Sequence, residues 1–210
     1  MSNILSRLPV KYLLQFKCVS KTWLSLISDE EFIKLHLSQA IFDPKILTMS
    51  PFKSLDYESP SSLEDHVDDG HDDAIVDLWY PSMEEELESN TVEIIGSCNG
   101  LICLLPYDTN KISLWNPSTR VSRDLPSLPY DFPDDCPIFN GFGYDSVNDE
   151  YKVVRGTSDG IVEVFSTCGE RWRKIQGLKC IFILEEEGVF FNGSPHWLGY
   201  SCSPRIWESN

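Results

Sequence analysis

The chain has 210 residues, and its hydrophobic fraction of 41% with 12% aromatic residues predicts a packed core rather than a globally disordered chain. The formal net charge of −16 is local, since residues 54–110 hold 15 acidic and no basic residues, whereas the rest carries 17 basic and 18 acidic ones. Because phosphate contacts require a basic surface, nucleic-acid binding is not expected.

Hydropathy and cysteine usage bear on the compartment. No apolar run reaches the length of a membrane span, and Arg7, Lys11 and Lys17 interrupt the N-terminal region, so we expect neither a signal peptide nor contact with a membrane. The seven cysteines are odd in number and scattered, which predicts free thiols in a reducing compartment. We therefore expect a location in the cytoplasm, the nucleus or both.

Residues 2–39 are predicted to form several short helices. Apolar residues recur near helical spacing between Leu5 and Leu24, with basic residues between them. Pro9 is expected to begin a new helix, because its ring fixes φ and removes a backbone donor. Ser28 or Asp29 is the expected N-cap of a last helix. Such short helices cannot bury their apolar sides alone, so they should pack against the chain's own β-domain or against a partner.

One run of ordered residues within this region is specific: Leu8-Pro9, Leu13-Leu14, Phe16, Cys18-Val19-Ser20-Lys21 and Trp23, continued by Phe32, Ile33, Leu35 and Leu37. It resembles the second half of a plant F-box, the module that docks a receptor onto the Skp-type adaptor of a cullin-RING ubiquitin ligase. F-boxes usually begin with an earlier Leu-Pro element, which we expect to be missing. The resemblance implies adaptor contacts by Leu8, Pro9, Leu13, Leu14, Phe16, Cys18, Val19 and Trp23.

Residues 43–93 are predicted to be a variable acidic segment with a few strands. Residues 45–50, 52–59 and 74–80 could each form a strand, whereas residues 63–73 are a charge run expected to be a solvated loop. An EF-hand loop beginning at Asp65 would need oxygen ligands where Val67 and Val76 stand, so no metal site is expected there.

From Val92 onward the pattern is that of an all-β domain. Short apolar runs at 100–105, 111–116, 150–156, 161–166, 171–176 and 188–191 alternate with turn residues, and residues 192–193 predict a hairpin with 196–200. The segment 115–120 recurs about 50 residues later as 165–170, a period that matches the four-stranded blades of kelch-type propellers. Trp115, Trp172 and Trp197 are expected at like places in the packing between blades.

Four segments of this region, at 94–104, 114–120, 142–155 and 190–198, resemble the F-box-associated, kelch-like domain that follows the F-box in a large plant receptor family. A closed propeller needs more residues than the chain supplies. The β-domain is therefore expected to be incomplete, and the chain truncated at both ends.

No catalytic, phosphate-binding or zinc-binding pattern stands out. Gly141-Phe142-Gly143 lacks the third glycine and the helix of a phosphate loop, and the cysteine spacings do not match a structural zinc site. His196 has no evident nucleophile partner. Cys98 and Cys103 are expected to be core residues, and Cys18 a buried, inert thiol. We therefore expect no enzyme, no metal and no cofactor.

Together these patterns predict an α+β multidomain chain, with an all-α F-box module at 1–42, an acidic segment at 43–93 and an incomplete all-β, propeller-like domain at 94–210. The two resemblances imply a substrate-recognition subunit of an SCF-type ubiquitin ligase, which binds a Skp-type adaptor and an unidentified target protein. Three alternatives stay open. They are an S-locus F-box protein that recognises basic ribonucleases, a truncated interaction protein without a ligase, and a small-molecule-binding or enzymatic propeller.

Overall fold

The structure is a computed structural model. It describes residues 2–39, 45–49, 52–56, 75–77, 92–106, 111–128, 138–157, 160–175, 181–183, 188–191 and 194–201. The chain divides into two compact units, one of residues 1–84 with 117–120 and one of residues 85–116 with 121–210. The predicted boundaries at 42 and 93 stay predictions.

Four short helices form the N-terminal region: α1 (Ser2–Leu5), α2 (Val10–Phe16), α3 (Lys21–Ile27) and α4 (Glu30–Gln39). Pro9 stands directly before α2 with φ −55° and ψ 145°, so it begins a new helix as predicted. Ser20 caps α3, since its side chain accepts a hydrogen bond from the Trp23 amide. Asp29 accepts from the Glu31 amide before α4, so Asp29 rather than Ser28 is the cap.

The helices bury one small apolar core of their own. Leu5, Leu13, Ile27 and Phe32 are buried, one from each helix. Two polar contacts join the connection between α1 and α2 to the last helix: the hydroxyl of Ser6 donates to Gln39 Oε1 at 2.6 Å, and His36 Nε2 lies 3.0 Å from the Leu8 carbonyl oxygen. Since no helix exceeds ten residues, these contacts rather than helix propensity hold the region together. Within the described ranges no helix is long and apolar enough to cross a membrane.

A small antiparallel sheet follows in the order β1-β2-β3, from Lys45–Met49, Phe52–Asp56 and Ile75–Asp77. Each of the three segments predicted as possible strands therefore contains one. The charge run at 63–73, with the residues considered for an EF-hand, lies outside the described residues.

The first four-stranded sheet is an antiparallel meander of β4 (Val92–Cys98), β5 (Leu101–Pro106), β6 (Ser113–Asn116) and β7 (Val121–Asp124). The predicted hairpin is confirmed as β5 paired with β6, and its loop at 107–110 lies outside the described residues. The register between β4 and β5 shifts between Ile94 and Gly96, which marks a β-bulge.

The second four-stranded sheet repeats the meander with β8 (Ile138–Asp145), β9 (Glu150–Thr157), β10 (Val162–Ser166) and β11 (Arg171–Ile175). The strands predicted within 150–176 are confirmed. Asp145 organises the turn between β8 and β9, because its carboxylate accepts hydrogen bonds from the Val147 and Asn148 amides at 2.9 and 3.2 Å.

The 50-residue repeat is confirmed at the level of the backbone. Turn 117–120 joins β6 to β7 as turn 167–170 joins β10 to β11, and the last residues of the turns, Arg120 and Glu170, have positive φ values of 58° and 47°. Trp115 and Phe165 occupy the same place before these turns, and both are fully buried. Trp172 lies instead on the fourth strand, so the expectation that three tryptophans hold like places is wrong.

The two sheets bury a shared apolar core. Apolar residues of both contribute to it: Ile95, Cys103, Leu105, Ile112 and Leu125 on one side, and Phe142, Val153 and Phe165 on the other. A Cβ at Gly96 would lie 3.3 Å from the Phe142 Cβ, so β4 and β8 approach closely. Trp172 donates its indole N–H to the Pro126 carbonyl at 2.8 Å. Each sheet therefore covers an apolar face of its neighbour, as in stacked propeller blades.

The last described strands correct one prediction. β13 (Val189–Phe191) pairs with β14 (Ser194–His196), whereas β15 (Gly199–Ser201) pairs with β12 (Ile181–Ile183), so residues 196–200 are not one strand. The strand ends because Trp197 packs edge-on against Phe139 and donates its indole N–H to the Asn140 carbonyl at 2.9 Å. The turn at 192–193 lies outside the described residues.

The packing of Trp197 also explains why a glycine stands at position 141. A Cβ at Gly141 would lie 2.7 Å from Trp197 Cζ2, so this position accommodates an indole ring and not a phosphate.

Candidate docking surface of the helical module

Large apolar side chains are concentrated on the surface of the helical module, residues 2–39. Twelve such side chains in the described part of the chain are more than a third exposed, and seven of them belong to the module: Ile4, Val10, Tyr12, Val19, Leu24, Ile33 and Leu37. Isolated exposed apolar residues need no explanation, but this density on 38 residues is typical of an interaction surface.

The eight residues predicted to contact the adaptor differ in how far their side chains are buried. Leu13 is only 5% exposed and belongs to the core of the module. Leu8, Phe16 and Trp23 are half-buried and pack against that core, with the rings of Phe16 and Trp23 edge-to-face at 5.2 Å. The other four reach the surface to different degrees: Leu14 is half-buried, and Pro9, Cys18 and Val19 are exposed.

The prediction that Cys18 is a buried thiol is wrong. It follows α2 and is exposed, so its thiol is not buried as the apolar spacing suggested. The spacing is misleading because the turn 17–20 lies between two helices and does not continue the buried side of α2.

Six exposed apolar residues were absent from the predicted contact set: Ile4, Val10, Tyr12, Leu24, Ile33 and Leu37. Ile33 and Leu37 stand one helical turn apart on α4, so they lie on the same side of it. Both carried a signal in the sequence, since they continue the F-box pattern. The others could not be separated from core residues by spacing alone.

The basic residues of the module are concentrated before α4, whereas residues 29–31 are acidic. Residues 2–28 contain Arg7, Lys11, Lys17 and Lys21 and no acidic residue. Arg7, Lys11 and Lys21 are exposed and Lys17 is half-exposed. The apolar and basic side chains exposed within residues 2–28 favour a partner whose docking face is apolar and acidic.

Outside the module, the described titratable groups form no reaction centre. Within the described ranges no three His, Cys, Asp or Glu side chains lie close enough to hold a metal ion. Cys103 is fully buried and Cys98 half-buried, and burial raises the pKa of both thiols, which agrees with core roles. His196 is exposed, with Nδ1 2.9 Å from the Ser194 carbonyl oxygen.

Two family models match the chain. The F-box domain matches residues 1–35, and the F-box associated beta propeller domain matches residues 57–205, more than half of the chain. The chain therefore belongs to the F-box proteins with an F-box associated β-propeller domain. Both resemblances inferred from the sequence are confirmed.

Among its relatives, an F-box/kelch-repeat protein of Arabidopsis thaliana is 30% identical over 97% of this chain and 58% of its own length. The F-box protein CPR1 of the same plant is 32% identical over 94% of this chain and 52% of its own length. The chain thus spans about half the length of these curated relatives. No solved structure matches it significantly.

Proposed function

We propose that this chain is a substrate-recognition subunit of an SCF-type cullin-RING ubiquitin ligase. Its helical module binds a Skp-type adaptor, and its β-sheets bind the protein to be ubiquitinated. The observation that carries the proposal is the concentration of exposed apolar side chains on the module that matches the F-box family.

The exposed set is sufficient for a specific interface. A stable interface buries roughly 800 Å² on each partner and depends on a few apolar anchors. Val19, Leu24 and Tyr12 offer such anchors without being needed in the core of the module. The proposed contact set also includes Pro9, Cys18 and Leu14. The other four predicted residues lie in or against the core of the module and support the shape of this surface: Leu8, Leu13, Phe16 and Trp23.

The chain itself performs no chemistry in this proposal. It holds a target near the charged ubiquitin carrier, and the reaction is accelerated because the two reactants are brought together. A receptor of this class acts in the cytoplasm or the nucleus. The S-locus alternative, which invokes the acidic residues 54–110 as a surface for a basic ribonuclease, stays a prediction.

Two valines allow a matched test. Val19 in the module and Val121 on β7 are both 62% exposed, so Val19→Asp and Val121→Asp place the same charge at equally accessible sites. Titration calorimetry with a recombinant Skp-type adaptor should show at least about a tenfold weaker affinity for Val19→Asp and an unchanged affinity for Val121→Asp.

Two results would count against the proposal. If Val19→Asp binds the adaptor with wild-type affinity, Val19 does not belong to the docking surface. A wild-type chain that is folded and yet shows no adaptor binding would overturn the ligase role.

A further inference from the structure

The second four-stranded sheet carries a polar depression that the docking surface does not use. It has a volume of about 380 Å³ and is lined by residues of β9, β10 and β11 and of the turns 146–149 and 167–170. Its lining residues come from two stretches of the sequence, 148–152 and 166–173, which the pairing of β9, β10 and β11 brings together.

One side of the depression carries three paired ionic groups, one ammonium and two carboxylates, whose charges sum to −1 at neutral pH. Lys152 forms ion pairs with Asp145, which lies beside the depression, and with Glu150, whose Oε1 is 3.2 Å from the ammonium nitrogen. The hydrogen bond from Lys152 lowers the pKa of Asp145, and the hydrogen bond donated by the Ser166 hydroxyl lowers that of Glu150. Both carboxylates are therefore ionised at neutral pH, and Lys152 balances only one of the two negative charges.

The other side carries two arginines. Arg171 and Arg173 are two residues apart on β11, so they lie on the same face of the strand, about 7 Å apart along it. Both are exposed, and within the described part of the chain neither guanidinium has a hydrogen bond or an ion pair. Glu170, the acidic neighbour of Arg171, is bound by Arg123 at 2.8 Å from the adjacent sheet and does not neutralise it.

The equivalent strand of the first sheet lacks this arrangement. Fifty residues earlier, Val121 stands in the place of Arg171, and Arg123 in the place of Arg173 is paired with Glu170. The two guanidinium charges exceed the residual negative charge of the other side by one, and this excess is a property of one blade and not of the repeat.

We propose that this depression binds anionic side chains, carboxylates or phosphates, spaced two residues apart in an extended segment of a protein. Alternate side chains of an extended peptide point to the same side with the spacing of Arg171 and Arg173. A planar guanidinium pairs with a carboxylate or a phosphate through two parallel hydrogen bonds. The inference rests on the proposed function only in taking this segment to belong to the ubiquitination target.

The test measures binding of fluorescent ten-residue peptides to the full chain by polarisation. One peptide carries two aspartates separated by one residue, one carries two adjacent aspartates, one carries two phosphoserines separated by one residue, and one carries asparagines. Arg171→Gln with Arg173→Gln is compared with Lys111→Gln and Arg120→Gln, which remove the same charge from two exposed basic residues outside the depression and the helical module.

The alternating anionic peptides should bind the wild-type chain and weaken by about tenfold or more in the Arg171 and Arg173 variant, with no change in the control. Their affinity for the wild-type chain should also fall with added salt, a measurement that needs no variant. The tighter of the aspartate and phosphoserine peptides identifies the source of the anionic group.

Equal binding of the asparagine peptide, or equal weakening in both double variants, would overturn the proposal. Equal binding of the adjacent and alternating aspartate peptides would overturn the spacing. Adaptor affinity is measured in parallel. If the adaptor does not bind but the peptides do, the ligase role is refuted and the anionic site stands. If the adaptor binds but the peptides do not, only the anionic site is refuted.

Discussion

Leu13 provides the sharpest test of how the helical module works. The residue was predicted as an adaptor contact, yet it is 5% exposed and packs with only three other buried residues. Leu13→Ala removes a large apolar side chain from this core, which typically costs about 2–5 kcal/mol of unfolding free energy. A helical module of some 40 residues has little stability to lose. We therefore expect the module to unfold in this variant.

The expected signature separates the core from the surface. Leu13→Ala should lose helical circular dichroism and the hydrogen-exchange protection of the Lys17 and Leu24 amides, which bond to the carbonyls of residues 13 and 20. Its adaptor affinity should fall only as far as the module is unfolded. Val19→Asp should behave oppositely, with helices and protection retained and affinity lost, because an exposed position affects stability by about 0.5 kcal/mol or less.

The result that refutes this reasoning is specific. If Leu13→Ala keeps its helical signal and its protected amides but loses adaptor binding, Leu13 acts as a direct contact. The distinction between core and docking residues drawn from burial would then be wrong.

Two further predictions concern the second sheet. A Cβ at Gly156 would lie 2.4 Å from the Phe139 ring, so Gly156→Ala should lower the unfolding free energy by about 1–3 kcal/mol and the melting temperature by several degrees. In the same thermal scan Gly169→Ala should be nearly neutral, because its Cβ would meet nothing closer than 3.8 Å. Glu163 is 2% exposed, and burial raises its pKa above the ordinary value of 4.5, so wild-type stability should fall as pH rises from 4.5 through the raised pKa. Because Glu163→Gln cannot ionise, its unfolding free energy relative to wild type should be higher at pH 7 than at pH 4, as urea titrations at the two pH values would measure.

The local elements of this protein could be read from its sequence because their signals are local. Pro9, Ser20 and Asp29 mark the beginnings of helices by the donors they lack or the caps they provide, and alternating apolar runs mark the paired strands. The 50-residue period identified the blade as the repeating unit, because equivalent turns impose the same backbone conformation on Arg120 and Glu170. The order of the F-box residues identified the family.

The tertiary structure alone decided which apolar side chains are buried. A helix of seven residues presents apolar groups on more than one side, and in α2 only the packing partners separate buried Leu13 from exposed Tyr12. The same holds for Trp197, which leaves its strand to pack on Phe139, and for Arg171, which lines the same depression as Lys152 only because β9, β10 and β11 pair side by side. Periodicity reports which residues prefer to be buried, whereas competition for the limited interior decides which of them are.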